Sequence, residues 1–301
     1  MKPSGMLRRK KRGCWMLAKI VFVLTEEYRN YVQNNLLYEK VQNDLYKHGA
    51  DVEWCGLDFF FLEKEKGDFL QKADCLFLTD DKTVIERLNE KGCFVIALYH
   101  EGVSGILSGT QYAMEGIEDI DWEYLIKVYQ RYCQIPWHIT ETRRCMIREM
   151  NAADVDDLYE LYKDKEVTQY TEDLFGDKEQ ETQYILDYIE NIYKYYGFGT
   201  WLIHRKEDGK LIGRAGFNYR PGFEEVELGF IIGFPYWRNG YAYEVCRHLL
   251  RIGKEVYEFE RVQALVDKRN AASVSLLKKL GFIYVEDSLL EGQKFERYLY
   301  E

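Results

Sequence analysis

The chain has 301 residues, 31% charged and 47% hydrophobic, with a formal charge of −10; it is long enough for two domains, and its acidic balance excludes a general nucleic-acid binder. Its seven cysteines, Cys14, Cys55, Cys75, Cys93, Cys133, Cys145 and Cys246, are scattered and contain no C-x-x-C pair. That pattern argues against a zinc site or a disulfide framework and suits free thiols in a reducing cytoplasm.

Residues 1–15 carry Arg8, Arg9, Lys10, Lys11 and Arg12 ahead of an apolar stretch over 16–24. The order imitates a secretory signal, but the apolar run is short, holds Lys19 and β-branched residues, and has no small-residue cleavage site after it. A flexible basic tail followed by a first strand is the expectation, and Met16 is an alternative start. Short apolar runs at 19–24, 52–55, 75–79 and 93–99 then alternate with helical patterns near 27–48, 82–90 and 122–133. This alternation predicts a parallel α/β sheet, with Asp80 or Asp81 capping the second helix.

Ligands of such sheets lie beyond the carboxyl ends of the strands, which here carry Thr25-Glu26, Asp80-Asp81 and His100-Glu101. Such an acidic cluster suits a metal ion or phosphoryl transfer, and the arrangement loosely resembles haloacid-dehalogenase-like domains. The Asp-x-Asp of that family is missing, because strand one continues as L-T-E-E-Y, and no G-x-G-x-x-G or G-K-[ST] follows any strand. Helix caps and solvated loop carboxylates explain the same residues.

Pro136, in Q-I-P-W-H-I-T, stops the preceding helix and sets a boundary, giving a Rossmann-like α/β domain over 16–139 and a second domain over 140–301. The second reads as a strand at 143–149, helices at 152–163 and 179–195, and strands at 200–205 and 211–218 turned by Asp208-Gly209. Further strands follow at 261–266, 283–285 and 294–300, so the order is mixed α+β. No internal repeat, low-complexity tract or membrane span is present in the sequence.

Between these elements, Glu227 to Ala242 reads E-L-G-F-I-I-G-F-P-Y-W-R-N-G-Y-A. Val226, Leu228 and Phe230 alternate with polar or small residues, as in a half-buried strand, and Gly233 and Pro235 end it. From Tyr241 the spacing of Ala242, Val245, Cys246, Leu249 and Leu250 is that of a helix buried on one face. A helix beginning near Gly240 offers unpaired N–H groups and a partial positive charge to an anion such as pyrophosphate. Gly240 permits close approach, Arg238 adds charge, and Ala242 limits bulk. Residues 270–282, N-A-A-S-V-S-L-L-K-K-L-G-F, make a second helix capped by Asn270 and closed by glycine.

These blocks, in this order, resemble the GNAT superfamily of acetyl-CoA-dependent N-acetyltransferases, in the branch of the RimJ and RimL ribosomal-protein acetyltransferases. That branch is marked by E-L-G-(F/Y)-x-(I/L), W-x-x-G-Y-A and N-x-x-S-x-x-(L/V)-L-x-K-L-G-F, and the resemblance spans about 140–301. It implies a GNAT fold with a mixed central sheet. It also implies acetyl-CoA held by Phe230, Ile231 and Ile232 of the strand, by Trp237, Arg238, Asn239, Gly240, Tyr241 and Ala242 of the turn and helix, and by Asn270 and Ser273. Trp237 stands where many members have Gln or Arg. Leu277 stands where many have a tyrosine that protonates the leaving thiolate.

Acetyl transfer needs a polarised thioester carbonyl, a neutral amine and a proton for the thiolate. Backbone groups of Phe230 to Ile232 are the candidates for the first. Glu227 is the candidate base, against the plain reading of a solvated strand glutamate. Ser273, on one helical stripe with Leu276, Leu277 and Leu280, is the candidate acid, although a backbone carbonyl one turn earlier is the commoner partner for such a hydroxyl. His48, His100, His138, His204 and His248 share no spacing that suggests a triad or a metal site. Tyr193, Tyr195 and Tyr196 line either an amine groove or the edge of a core. The expectation is a cytoplasmic acetyl-CoA-dependent N-acetyltransferase acting directly on an amine acceptor, small molecule or protein N-terminus, with no metal, nucleic-acid or membrane partner. The alternative is a module that senses acetyl-CoA without turnover.

Overall fold

The computed structural model describes residues 17–62, 75–103, 105–118, 120–290 and 292–301, so the expected basic tail and Cys14 lie outside the described residues. Backbone proximity divides the chain into two compact units, one ending at Ile135 and the other opening at Pro136.

The first unit runs β1 (Lys19–Leu24), α1 (Glu26–Asn34), α2 (Leu37–Lys47), β2 (Asp51–Gly56), α3 (Leu57–Leu62), β3 (Cys75–Thr79), α4 (Lys82–Glu90), β4 (Phe94–Tyr99), β5 (Ala113–Glu115) and α5 (Trp122–Tyr132). Its strands form one parallel sheet in the order β2-β1-β3-β4-β5. Alternate side chains feed two cores. Ile20, Phe22, Leu76 and Leu78 pack with Val32, Val41 and Tyr129; Val21, Val23, Phe77 and Val95 pack with Val84, Ile85 and Leu88 of α4. Burial on both faces is why these strands read as unbroken apolar runs.

The periodicity predicts one helix over 27–48, but the chain breaks it at Leu36, which takes a left-handed φ of 57°. Asn35 closes α1 by donating its side-chain amide to the Tyr31 carbonyl at 2.9 Å. Val32, Val41 and Leu45 are all buried, so the apolar spacing resumes across the break and conceals it.

At the strand ends, Asp80 and Asp81 have structural partners. Asp80 accepts the Thr25 N–H at 2.9 Å and the Thr25 hydroxyl, and pairs with His100 Nε2 at 3.0 Å. Thr25 caps α1, and Asp81 caps α4 by accepting from Val84 N at 2.9 Å. Among the described residues no group of His, Cys, Asp and Glu could hold a metal ion, and no helix is long and apolar enough to cross a membrane.

The second unit runs β6 (His138–Glu141), β7 (Cys145–Arg148), α6 (Val155–Tyr162), α7 (Lys165–Thr168), α8 (Lys178–Tyr188), α9 (Lys194–Tyr196), β8 (Thr200–Arg205), β9 (Leu211–Asn218), β10 (Val226–Ile232), α10 (Tyr241–Glu255), β11 (Val262–Val266), α11 (Ala271–Leu280), β12 (Ile283–Leu290) and β13 (Gln293–Tyr300). Its sheet is ordered β12-β13-β11-β10-β9-β8-β7-β6. Only β10 and β11 pair in parallel; the other neighbours are antiparallel. The sheet is therefore mixed, as the resemblance implies. β12 outruns its predicted span because its side chains are mostly exposed and lack an apolar alternation. Asp208 and Gly209 do turn β8 into β9, through a four-residue loop closed by Arg205 N bonding to Lys210 O at 2.8 Å.

The helical pattern over 179–195 resolves into α8, a π turn at Ile189–Tyr193, and α9. The wider turn brings Tyr188 and Tyr193 edge to face, with centroids 5.1 Å apart. Both rings are tied to the start of β8: Tyr188 Oη accepts from Thr200 N at 2.8 Å, and Tyr193 Oη donates to the Thr200 carbonyl. Tyr193 is thus a core residue, whereas Tyr195 is 78% exposed.

Candidate active site

The strand at the centre of the second unit has one edge open. β10 pairs with β9 from Glu227 through Ile232, but with β11 only at Val226 and Glu227. Gly233 N donates to Ile212 O at 2.9 Å, so odd-numbered peptide groups of β10 point towards β9. Alternation then turns the N–H and C=O of Leu228 and Phe230 towards the side that β11 has left. The three strand residues singled out from sequence differ accordingly. Phe230 offers its peptide to the opening, Ile231 directs its own towards β9, and the Ile232 carbonyl is taken by Trp237 Nε1 at 2.6 Å. Trp237 therefore closes the end of the strand as well as flanking it.

Beyond a short 3-10 turn at Phe234–Tyr236 the backbone becomes left-handed at Arg238, φ 60°, and again at Gly240, φ 76°. Gly240 is the N-cap of α10 and supplies no side-chain bond to its first turn. Arg238, Asn239 and Gly240 are exposed, and among the described residues Arg238 has no hydrogen-bond or ion-pair partner. Tyr241 turns inward and is 8% exposed, while Ala242 packs at the edge of the core.

This turn is braced by a residue that the sequence did not single out. Arg144 donates to the Asn239 carbonyl at 3.0 Å, to Glu244 Oε2 through Nε at 2.6 Å, and to Glu244 Oε1 through its backbone N–H at 2.8 Å. Its guanidinium also lies 4.2 Å from the Tyr241 ring centroid. Burial raises the Glu244 pKa, but bonds from Thr142 and Arg144 outweigh it and hold the carboxylate below its ordinary value. Arg144 lies 100 positions from Glu244 in a plain Arg-Arg pair, and no local spacing marks it.

Glu227 stands on the sheet face opposite that of Leu228 and Phe230, with its side chain 13% exposed. It is not a free carboxylate: Arg220 Nη2 donates to Oε1 at 3.4 Å, and Arg220 Nε to Oε2 at closer range. Asn270 caps α11 by accepting Ser273 N–H at 3.1 Å. Ser273 is half-buried, and its hydroxyl has no partner among the described residues. Leu277 is 1% exposed and belongs to the core. α11 packs on α10 and β11, which places Asn270 and Ser273 on the helix beside the departing strand.

Residues 144–283 match the family described as the acetyltransferase (GNAT) domain. The chain is 30% identical over 146 residues to the uncharacterized protein YkkB of Bacillus subtilis, covering 48% of this chain and 84% of that one. It is also 30% identical over 149 residues to the uncharacterized N-acetyltransferase YoaA of the same organism, covering 48% and 82%. The crystal structure of a GNAT-family acetyltransferase from Bacillus anthracis aligns over 53% of this chain and 95% of its own, at 21% identity and a TM-score of 0.45. The second unit is thus an acyltransferase domain. The chain belongs to the GNAT acetyltransferase family.

Proposed function

We propose that the second unit moves an acetyl group from acetyl-CoA to a primary amine by direct attack in a ternary complex. The observation that carries this reading is the parting of β10 from β11 after Glu227, on a strand that leads through an exposed turn into the uncapped N-terminus of α10. An open strand edge accepts an extended chain of amides by backbone pairing, and the N–H of Phe230 is the group to polarise a thioester carbonyl. The first N–H groups of α10 and the free charge of Arg238 favour a pyrophosphate. Arg144 keeps that turn in place.

In the transfer the amine nitrogen bonds to the thioester carbon, the C–S bond breaks, and one proton must pass from the amine to the thiolate. Glu227 is the assigned proton acceptor, directly or through water, and the Ser273 hydroxyl the assigned donor. Support for Ser273 is its unused hydroxyl; support for Glu227 is its place on the strand that offers Phe230.

A second reading, binding of acetyl-CoA without turnover, is favoured by the ion pair that engages Glu227 and by the burial of Leu277. Calorimetry with acetyl-CoA, followed by thiol release over a panel of polyamines, aminoglycosides, amino acids and peptide N-termini, separates the two. Binding plus acceptor-dependent release supports transfer, binding alone supports the second reading, and no binding removes both.

A further inference from the structure

Arg214 lies on β9 directly opposite Ile231 of β10, on the sheet face that also carries Glu227. Among the described residues its guanidinium makes one hydrogen bond, from Nη1 to Tyr162 Oη at 3.3 Å, and no ion pair. Its Nε is sealed from solvent without a partner. The charged group is surrounded instead by phenols: Tyr162 of α6, Tyr184 and Tyr188 of α8, and Tyr193 of the π turn. Glu181, buried on α8, accepts Phe175 N–H at 3.1 Å and does not pair with it.

Neutral phenols do not balance a guanidinium, and a half-buried cation without a counter-charge is costly. Other arginines of the same unit show what such a group ordinarily holds. Arg205 grips Asp208 through Nε at 2.9 Å, and Arg269 grips Asp267 through Nε at 3.0 Å, each also using Nη2. On Arg214 the same Nε and Nη2 edge, which matches the two oxygens of a carboxylate, is without a protein partner among the described residues. We infer that Arg214 receives the carboxylate of the acceptor, so that the substrate class is a primary amine bearing a carboxylate a few bonds away, as in an α-amino acid.

The inference rests on the acetyl-transfer reading and specifies its acceptor. An uncompensated cation on the acceptor side also repels polycationic amines, which selects against polyamines and aminoglycosides.

The test uses the full chain and matched probes: L-amino acids, their carboxamides and the corresponding decarboxylated amines, scored by thiol release from acetyl-CoA. The expected result is a preference for the free carboxylates of about tenfold or more in kcat/KM, carried mainly by KM. Arg214→Gln should abolish that preference, and Arg214→Lys should restore it only in part, because an ammonium lacks the fork. Equal rates for acids and amides in the wild type, or a preference that survives in Arg214→Gln, overturn the inference while leaving acetyl transfer intact. If no amine is turned over, the transfer reading fails by itself. Arg214 is then judged by thermal stabilisation of the coenzyme A-saturated chain with N-acetyl-L-amino acids against their amides. Stabilisation specific to the acids and lost in Arg214→Gln supports the anion site; its absence refutes it. Should Arg214→Gln not fold, Arg214→Lys and Tyr162→Phe carry the same comparison, and an unchanged acid-to-amide ratio in a folded Arg214→Lys counts against the site.

Discussion

At Gly240 two demands meet in one residue, because φ of 76° is a conformation that a side chain makes costly by about 1–2 kcal/mol and because the first turn of α10 stands open beside it. Gly240→Glu adds a carboxylate where the proposed pyrophosphate sits. Calorimetry should show acetyl-CoA affinity lost in a folded variant, and unchanged affinity would remove the turn from the site. At Glu227 the proposed role is a proton acceptor engaged by Arg220. Glu227→Gln should lower turnover by about a hundredfold, most at low pH where few amines are neutral, with the deficit shrinking as pH rises. A flat deficit across pH would instead make Glu227 a positioning residue. His204 shows a different kind of residue effect. Burial, and then the charge of Arg148, depress its pKa, so the folded chain keeps the ring neutral. Below the ordinary value of 6.5 the unfolded chain takes up the proton first, and stability falls with acidification by at most about 1.4 kcal/mol per pH unit from this group. Urea titrations at pH 7 and 5.5 should show this slope reduced in His204→Gln, together with a loss of about 1 kcal/mol at pH 7 from the bond to Gly209 O.

At the scale of elements, α10 depends on a clamp outside its own sequence. Arg144→Leu removes the side-chain bonds to Glu244 Oε2 and the Asn239 carbonyl, keeps the backbone N–H bond to Oε1, and leaves a partly buried carboxylate without its ionic partner, a cost of about 1–3 kcal/mol by thermal or urea unfolding. Because the Glu244 pKa is lowered in the folded chain, the clamp contributes above the ordinary carboxylate range and is lost as pH falls through the depressed value. The wild type and Arg144→Leu should therefore converge in stability at strongly acidic pH; a constant gap would mean that packing on Tyr241, not charge, is the main contribution. α10 itself was legible, since its apolar stripe and opening glycine are local signals. The break between α1 and α2 and the π turn after α8 were not, because each preserves the apolar spacing while changing the backbone path.

For the whole molecule, each unit buries its own core, and the division falls between Ile135 and Pro136. A fragment beginning at Pro136 keeps β6 paired to β7 and should fold and bind acetyl-CoA without the first unit. Circular dichroism and calorimetry of that fragment check this; an unfolded fragment beside a well-behaved full chain would show that the units depend on each other.

The main alternation of strands and helices, the parallel sheet, the strand-turn-helix at Glu227 to Ala242 and the cap at Asn270 were written in the sequence, because periodicity, glycine and capping residues act over a few positions, whereas α3, β5, β6 and α7 are too short to show a period. Family membership was legible for the same reason, through three short blocks in a row. Only tertiary structure decided that β11 leaves β10 after Glu227, that Arg220 occupies the glutamate, that Arg144 braces the turn before α10, and that Arg214 stands among phenols without a carboxylate. Each of these joins residues from separate segments through charge or strand pairing, and neither leaves a periodic trace along the chain.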